Sequence, residues 1–161
     1  MLLQKLRHHK ATLTSATLAL VLAIGWATRE WAHAGEKTKL LQSGTTTLNQ
    51  IKIQDFVFEG TPRGQVGVYV EGNTAGTRSF VTGIFRLTPG TEPHPIHKHP
   101  EEEILIVTGG TGEISCDGKT TKVGAGSVMY TAPDVSHGIR NTGDDVLTFY
   151  FVKWIGVGRA K

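Results

Sequence analysis

From Ile51 onward, short runs rich in Ile, Val, Phe, Thr and Tyr alternate with breaks that carry Gly, Asn or Asp. The runs cover 51–58, 65–70, 77–87, 102–107, 112–116, 120–123, 127–131, 137–141 and 146–154. No window sustains a helical period, and the breaks hold the residues that tolerate tight turns. The pattern therefore predicts an all-β fold, a single sandwich or barrel of short strands. Asp117-Gly118, flanked by apolar runs, is a two-residue hairpin signal, because glycine enters the left-handed region without steric cost. Alternation also sorts faces, placing Val128 and Tyr130 on one side of their strand and Met129 and Thr131 on the other. The polar, Thr-rich stretch 35–50 is expected to be an arm or edge strand, ahead of a barrel over 51–155 and a tail over 156–161.

The first 34 residues follow a different rule. Lys5, Arg7, His8, His9 and Lys10 open the chain with positive charge. Residues 11–28 carry no charge and centre on Leu18-Ala19-Leu20-Val21-Leu22-Ala23-Ile24, and Ala32-His33-Ala34 then precedes Gly35. A positive opening, a short apolar core and an A-x-A site in that order predict an export signal over 1–34. The apolar core is short for a spanning helix and diluted by Thr12, Thr14, Ser15 and Thr17, which favours cleavage over an uncleaved anchor. The expectation is an exported protein, periplasmic or extracellular, with no membrane attachment once the leader is removed.

Charge and cysteine content narrow the picture further. The chain of 161 residues, with a formal net charge of +3, is long enough for one domain of ordinary size. Of its 17 basic residues four lie in the leader, and of its 14 acidic residues one does, so the remainder carries thirteen of each. A neutral remainder lacks the basic footprint that phosphate backbones require, so nucleic acid is not an expected partner. A single Cys, Cys116, excludes an intrachain disulfide and any zinc cluster built from cysteines. It is expected to be a small packed residue rather than a nucleophile.

The histidines carry the chemistry. His8, His9 and His33 belong to the leader, and the other four fall in two short stretches, GTEPHPIHKHPEEEILIVTGG (90–110) and APDVSHGIRNTG (132–143). If 97–99 is extended, His97 and His99 emerge on one face about 7 Å apart, close enough to converge on one cation. Glu101 and Glu103 share that parity, so either carboxylate could join them, and Pro95 and Pro100 restrict the backbone on both sides. His137, from the second stretch, offers a further ligand. Any one of these residues alone would ordinarily be a solvated or satisfied side chain. Their collection into two patches beside a carboxylate is what makes a metal site the better reading.

These two stretches resemble the paired motifs of the cupins, proteins of double-stranded β-helix (jelly-roll) fold. The first motif is met by Gly90, His97, His99, Glu103 and Gly110, and the second by Gly126, Pro133, His137 and Asn141. The resemblance covers roughly residues 66–152. It implies that His97, His99, Glu103 and His137 bind one divalent metal ion inside a small barrel, and it selects Glu103 over Glu101. Two departures stand out. The spacing from Gly90 to His97 is one residue longer than the motif, with His94 in the insertion. The turn before His137 is one residue shorter, with Asp134-Val135 where the family often has glycine.

Three imidazoles and a carboxylate suit iron, manganese, nickel, copper or zinc. The resemblance implies two alternatives: a metal-dependent enzyme of the dioxygenase, isomerase or decarboxylase kind, with Glu103 as base, acting on a small oxygen-rich molecule; or a non-catalytic module that binds or senses a small ligand or metal. Arg86, Tyr130, Thr131, Arg140 and Lys153 are the polar side chains that could face such a site. Asn141 is read as turn-forming. Phe149, Tyr150, Phe151 and Trp154 are expected to pack the last strand or the face of a homodimer.

Overall fold

A computed structural model describes residues 39–158 of the chain. The predicted leader lies outside the described residues, as do the last three residues of the predicted tail. Nine strands follow a short 3-10 turn at Leu48–Gln50: β1 (Gln54–Phe58), β2 (Thr61–Gly72), β3 (Thr77–Leu87), β4 (Glu102–Gly109), β5 (Thr111–Cys116), β6 (Lys119–Gly124), β7 (Val128–Thr131), β8 (His137–Asn141) and β9 (Leu147–Gly156). They pair antiparallel into a six-stranded sheet of order β1-β2-β3-β9-β4-β7 and a three-stranded sheet of order β6-β5-β8. Among the described residues no helix is long and apolar enough to cross a membrane.

The alternation read from sequence is what closes the two sheets on each other. Phe85, Leu87, Leu105, Val107, Met129, Phe149 and Phe151 of the large sheet meet Ile114 and Ile139 of the small one in a single buried cluster. Phe85 stacks on Phe149 with ring centroids 5.5 Å apart and meets Phe56 edge-on at 5.0 Å. Of the aromatics on β9, Phe149 and Phe151 are core, whereas Tyr150 and Trp154 fall at the outward-facing positions between and beyond them. Met129 and Thr131 are buried while Val128 and Tyr130 are exposed, as the period-two pattern requires.

Turn chemistry agrees with the sequence at β5–β6, where Asp117 and Gly118 both have positive φ (51° and 74°), the geometry of a type I′ hairpin. Glu59 and Gly60 repeat it between β1 and β2, with φ of 48° and 75°. The largest departures from the expected bounds are in β2 and β1. β2 extends well beyond 65–70 at both ends because its flanks pair with β1 and β3 despite their low apolar content. Residues 51–53, expected to open the first strand, lie before β1, and the Ile51 and Ile53 side chains fill the space above Gly67, which has no side chain of its own to exclude them.

Candidate metal centre

The site is assembled where β4 and β8 begin and β7 ends. His137 is the first residue of β8 and is 2% exposed; Glu103 is the second residue of β4 and is 8% exposed. The segment carrying His97 and His99 is not a regular strand. His97 makes an isolated antiparallel bridge to His137, with His97 N donating to His137 O at 3.0 Å and His137 N donating to His97 O at 2.8 Å. The two imidazoles of the His-x-His pair therefore converge by another route than the extended strand expected. A two-bond bridge pins one histidine to β8, and the Asp134 N–H, donating to His99 O at 2.8 Å, ties the other to the loop before β8. Asp134 takes φ +60°, supplying from a non-glycine residue the left-handed turn that the family's glycine would supply.

Ligating atoms of His97, His99 and His137 all lie within 4.8 Å of one another. The carboxylate joins them directly: Glu103 Oε2 is 2.8 Å from His137 Nε2 and 3.2 Å from His99 Nε2. The far nitrogens of the same two rings are held as well. His137 Nδ1 is 2.8 Å from Val135 O, and His99 Nδ1 is 3.2 Å from both the backbone oxygen and the carboxylate of Glu101. Each ring is thus fixed with Nε2 turned inward, the orientation that a carbonyl or carboxylate behind a metal-ligating histidine enforces. Glu101, which shared strand parity with Glu103, stands behind His99 rather than beside the other ligating atoms.

The electrostatics follow from this packing. Burial disfavours the charged form of Glu103, but hydrogen bonds from His137 and His99 outweigh it and hold the carboxyl down at about 2. Burial likewise disfavours charge on His99, yet its contacts with Glu101 and Glu103 raise it to about 9. His97 is pushed down to about 3 by desolvation and by the neighbouring imidazoles. The site holds an anionic carboxylate against one imidazole that retains its proton and another that resists taking one. A divalent cation in their midst would replace that proton, so the donor set and its charge fit the ion that the motif implies.

His94, the residue of the insertion, is not among the clustered ligand atoms. Its ring meets His97 edge-on with centroids 4.0 Å apart, approaches Phe58 at 6.5 Å, and turns its Nδ1 to Pro95 O at 3.1 Å. It backs His97 and, with Glu92, Ile96, Ile139 and Arg140, lines a recess of about 140 Å³. Of the other polar side chains considered, Thr131 and Lys153 stand directly opposite Glu103 on β7 and β9 and share its inward face. Arg86, Tyr130 and Arg140 face outward, Arg140 pairing with Glu92 at 3.4 Å and Tyr130 donating to Glu102 at 2.9 Å. Sequence reasoning named Glu101 and Lys153 as candidates but did not give Glu101 its part behind His99 or pick Lys153 and Thr131 out from the outward-facing Arg86, Tyr130 and Arg140. Cys116, opposite His137 across β5–β8, is partly buried against the core, as a packed residue would be.

Two antiparallel sheets closed on one core, with three imidazoles and a carboxylate gathered together, define a class of protein. The model of the Cupin domain family matches residues 83–153, the stretch holding both motifs. With that match and the fold, the chain belongs to the cupin superfamily. It is 32% identical over 69 residues to dimethylsulfoniopropionate lyase DddW of Ruegeria pomeroyi, covering 43% of this chain and 45% of that one. It is 35% identical over 82 residues to protein SchB of Streptomyces halstedii, covering 50% of this chain and 59% of that one. The chain thus spans about half the length of these curated relatives. A crystal structure described as a predicted oxalate decarboxylase from Thermotoga maritima superposes with a TM-score of 0.55 and 26% identity, over 70% of this chain and 99% of that one.

Proposed function

We propose that His97, His99, Glu103 and His137 hold one divalent ion, and that the exported domain uses it as a metal-dependent enzyme on a small oxygen-rich molecule. The observation that carries this reading is the gathering of three imidazole donors within 4.8 Å of one another, with a buried carboxylate touching two of them. A bound ion would supply Lewis acidity toward an oxygen of the ligand. The protein's own part is to hold the rings through Val135 O and Glu101, to keep Glu103 buried beside Thr131, and to keep Glu103 ionised as the proton acceptor. The printed names of two relatives, a lyase and a predicted decarboxylase, favour the catalytic reading over a module that only binds or senses. The name of the first adds lyase chemistry to the dioxygenase, isomerase and decarboxylase alternatives.

Export through the leader at 1–34 belongs to the same proposal, and its check is the mature N-terminus: mass spectrometry should find it at Gly35. Pairing of two copies through the outward face of the large sheet, where Val128 is 64% and Tyr130 56% exposed, is the remaining part; sedimentation equilibrium should return twice the monomer mass. The metal reading is tested by elemental analysis of protein purified without added metal. One ion per chain is expected, with His137→Ala and His97→Ala devoid of it and His94→Ala retaining it. Equal metal content in all of these would refute the assignment. With loaded protein, turnover of small carboxylates, phenols and diketones is expected for an enzyme, and saturable binding without turnover for the alternative module.

A further inference from the structure

Lys153 shares the inward face of the sheet with Glu103, and among the described residues no ion pair accounts for its charge. On β9 the buried positions are Leu147, Phe149 and Phe151, so the period of two carries Lys153 inward. Its neighbours confirm the face: it stands directly opposite Glu103 on β4 and Val81 on β3, the first buried and the second packed on the core. Thr131 flanks Glu103 from the other side. Its positive charge favours the ionised carboxylates of Glu103 and Glu101 and opposes protonation of His99 and His94. Among the described residues no carboxylate oxygen lies within 4.0 Å of its ammonium: Glu103 is taken up by His99 and His137, and Glu101 by His99.

A lysine brought to a half-buried position loses hydration, and without a protein counter-charge that loss is uncompensated. Once the carboxylate of Glu103 is balanced by a divalent ion, the site carries surplus positive charge, and Lys153 is left as a cationic donor on the same face as Glu103 with no carboxylate partner of its own.

We propose that Lys153 determines specificity, holding a carboxylate group of the small ligand beside the histidine cluster and so restricting the site to anionic organic acids. This rests on the metal reading above and adds the chemical class of the ligand to it. The alternative part for Lys153 is to balance Glu103 across the strands, in which case it would affect stability but not the choice between ligands.

The experiment uses the protein with the metal it carries on purification, with Lys153→Met and Lys153→Arg prepared alongside. Metal content is measured first in all three. Titration calorimetry then compares malonate with its monoamide, malonamate, which keeps one carboxylate and replaces the other by a neutral group of similar shape. Wild type is expected to prefer malonate by at least about ten-fold, the lower end of what a charge-assisted hydrogen bond supplies. Lys153→Met should lose that preference and Lys153→Arg should keep most of it, all three holding equal metal. An unchanged preference in Lys153→Met, or no preference in metal-loaded wild type, would overturn the proposal while leaving the metal site standing. Wild type without metal would fail at the first measurement and remove the metal reading itself.

Discussion

At the scale of single residues, the site depends on side chains that fix other side chains. Glu101 does not reach into the cluster but sits 3.2 Å from His99 Nδ1, so that His99 turns its other nitrogen toward Glu103 and His137. Losing such a partner typically weakens metal affinity by about 10–100-fold. Glu101→Gln, which keeps the shape and gives up the charge, should therefore loosen metal binding by about that range in a competition with a chelator. Its melting temperature without metal should also fall at and below pH 6.5, because Glu101 helps raise His99; an affinity equal to wild type would show that Glu101 is only a surface acid. His94 differs in kind. Its edge-on contact with His97 should make His94→Ala a weaker binder than wild type but not an empty one, and His94→Phe, which restores a ring, should recover most of the loss.

Elements explain how two stretches some thirty residues apart come together. The strands, their faces and the hairpin at Asp117-Gly118 were legible because period-two alternation and turn glycines are local signals. The nearness of His137 to His97 was legible only through the resemblance to a family, since the bridge between them is a long-range pairing of a segment with no strand pattern of its own. The same limit hid the ends of β2, which are held by partners rather than by propensity. Asn141 shows local and long-range terms meeting. It is fully buried; its Nδ2 donates to Leu87 O at 2.9 Å and Asp145 O at 2.8 Å, and its Oδ1 accepts from Gly143 N at 3.0 Å. It thereby ties the end of β3 to the turn leading into β9. Asn141→Ala would leave those backbone groups without partners and should cost about 2–4 kcal/mol in urea unfolding. A loss under about 0.5 kcal/mol would mean that water replaces the side chain at no cost.

The whole molecule registers the site through its stability. In metal-free protein, His97 titrates near 3 when folded and near 6.5 when unfolded, so the unfolded chain binds the extra proton and stability falls as pH drops below 6.5. Glu103, held at about 2 against 4.5, gives stability that is complete above 4.5 and is lost on further acidification. His99 has the opposite sign. Raised to about 9, it contributes fully below 6.5 and loses that contribution as pH rises toward 9. Thermal unfolding of the chelated protein should thus pass through a maximum near pH 6.5 and decline on both sides. A melting temperature that climbs steadily from pH 6.5 to 9 would contradict the His99–Glu103 pairing. Metal should flatten the alkaline decline, since an ion takes the place of the proton that His99 otherwise loses.

All of this returns to one point in space. Anomalous diffraction from crystals of the metal-loaded protein should show a single strong peak per chain, about 2.0–2.3 Å from a nitrogen of each of His97, His99 and His137 and from an oxygen of Glu103. A peak elsewhere in the molecule, or these four side chains in contact with no peak among them in protein shown to contain metal, would contradict the account.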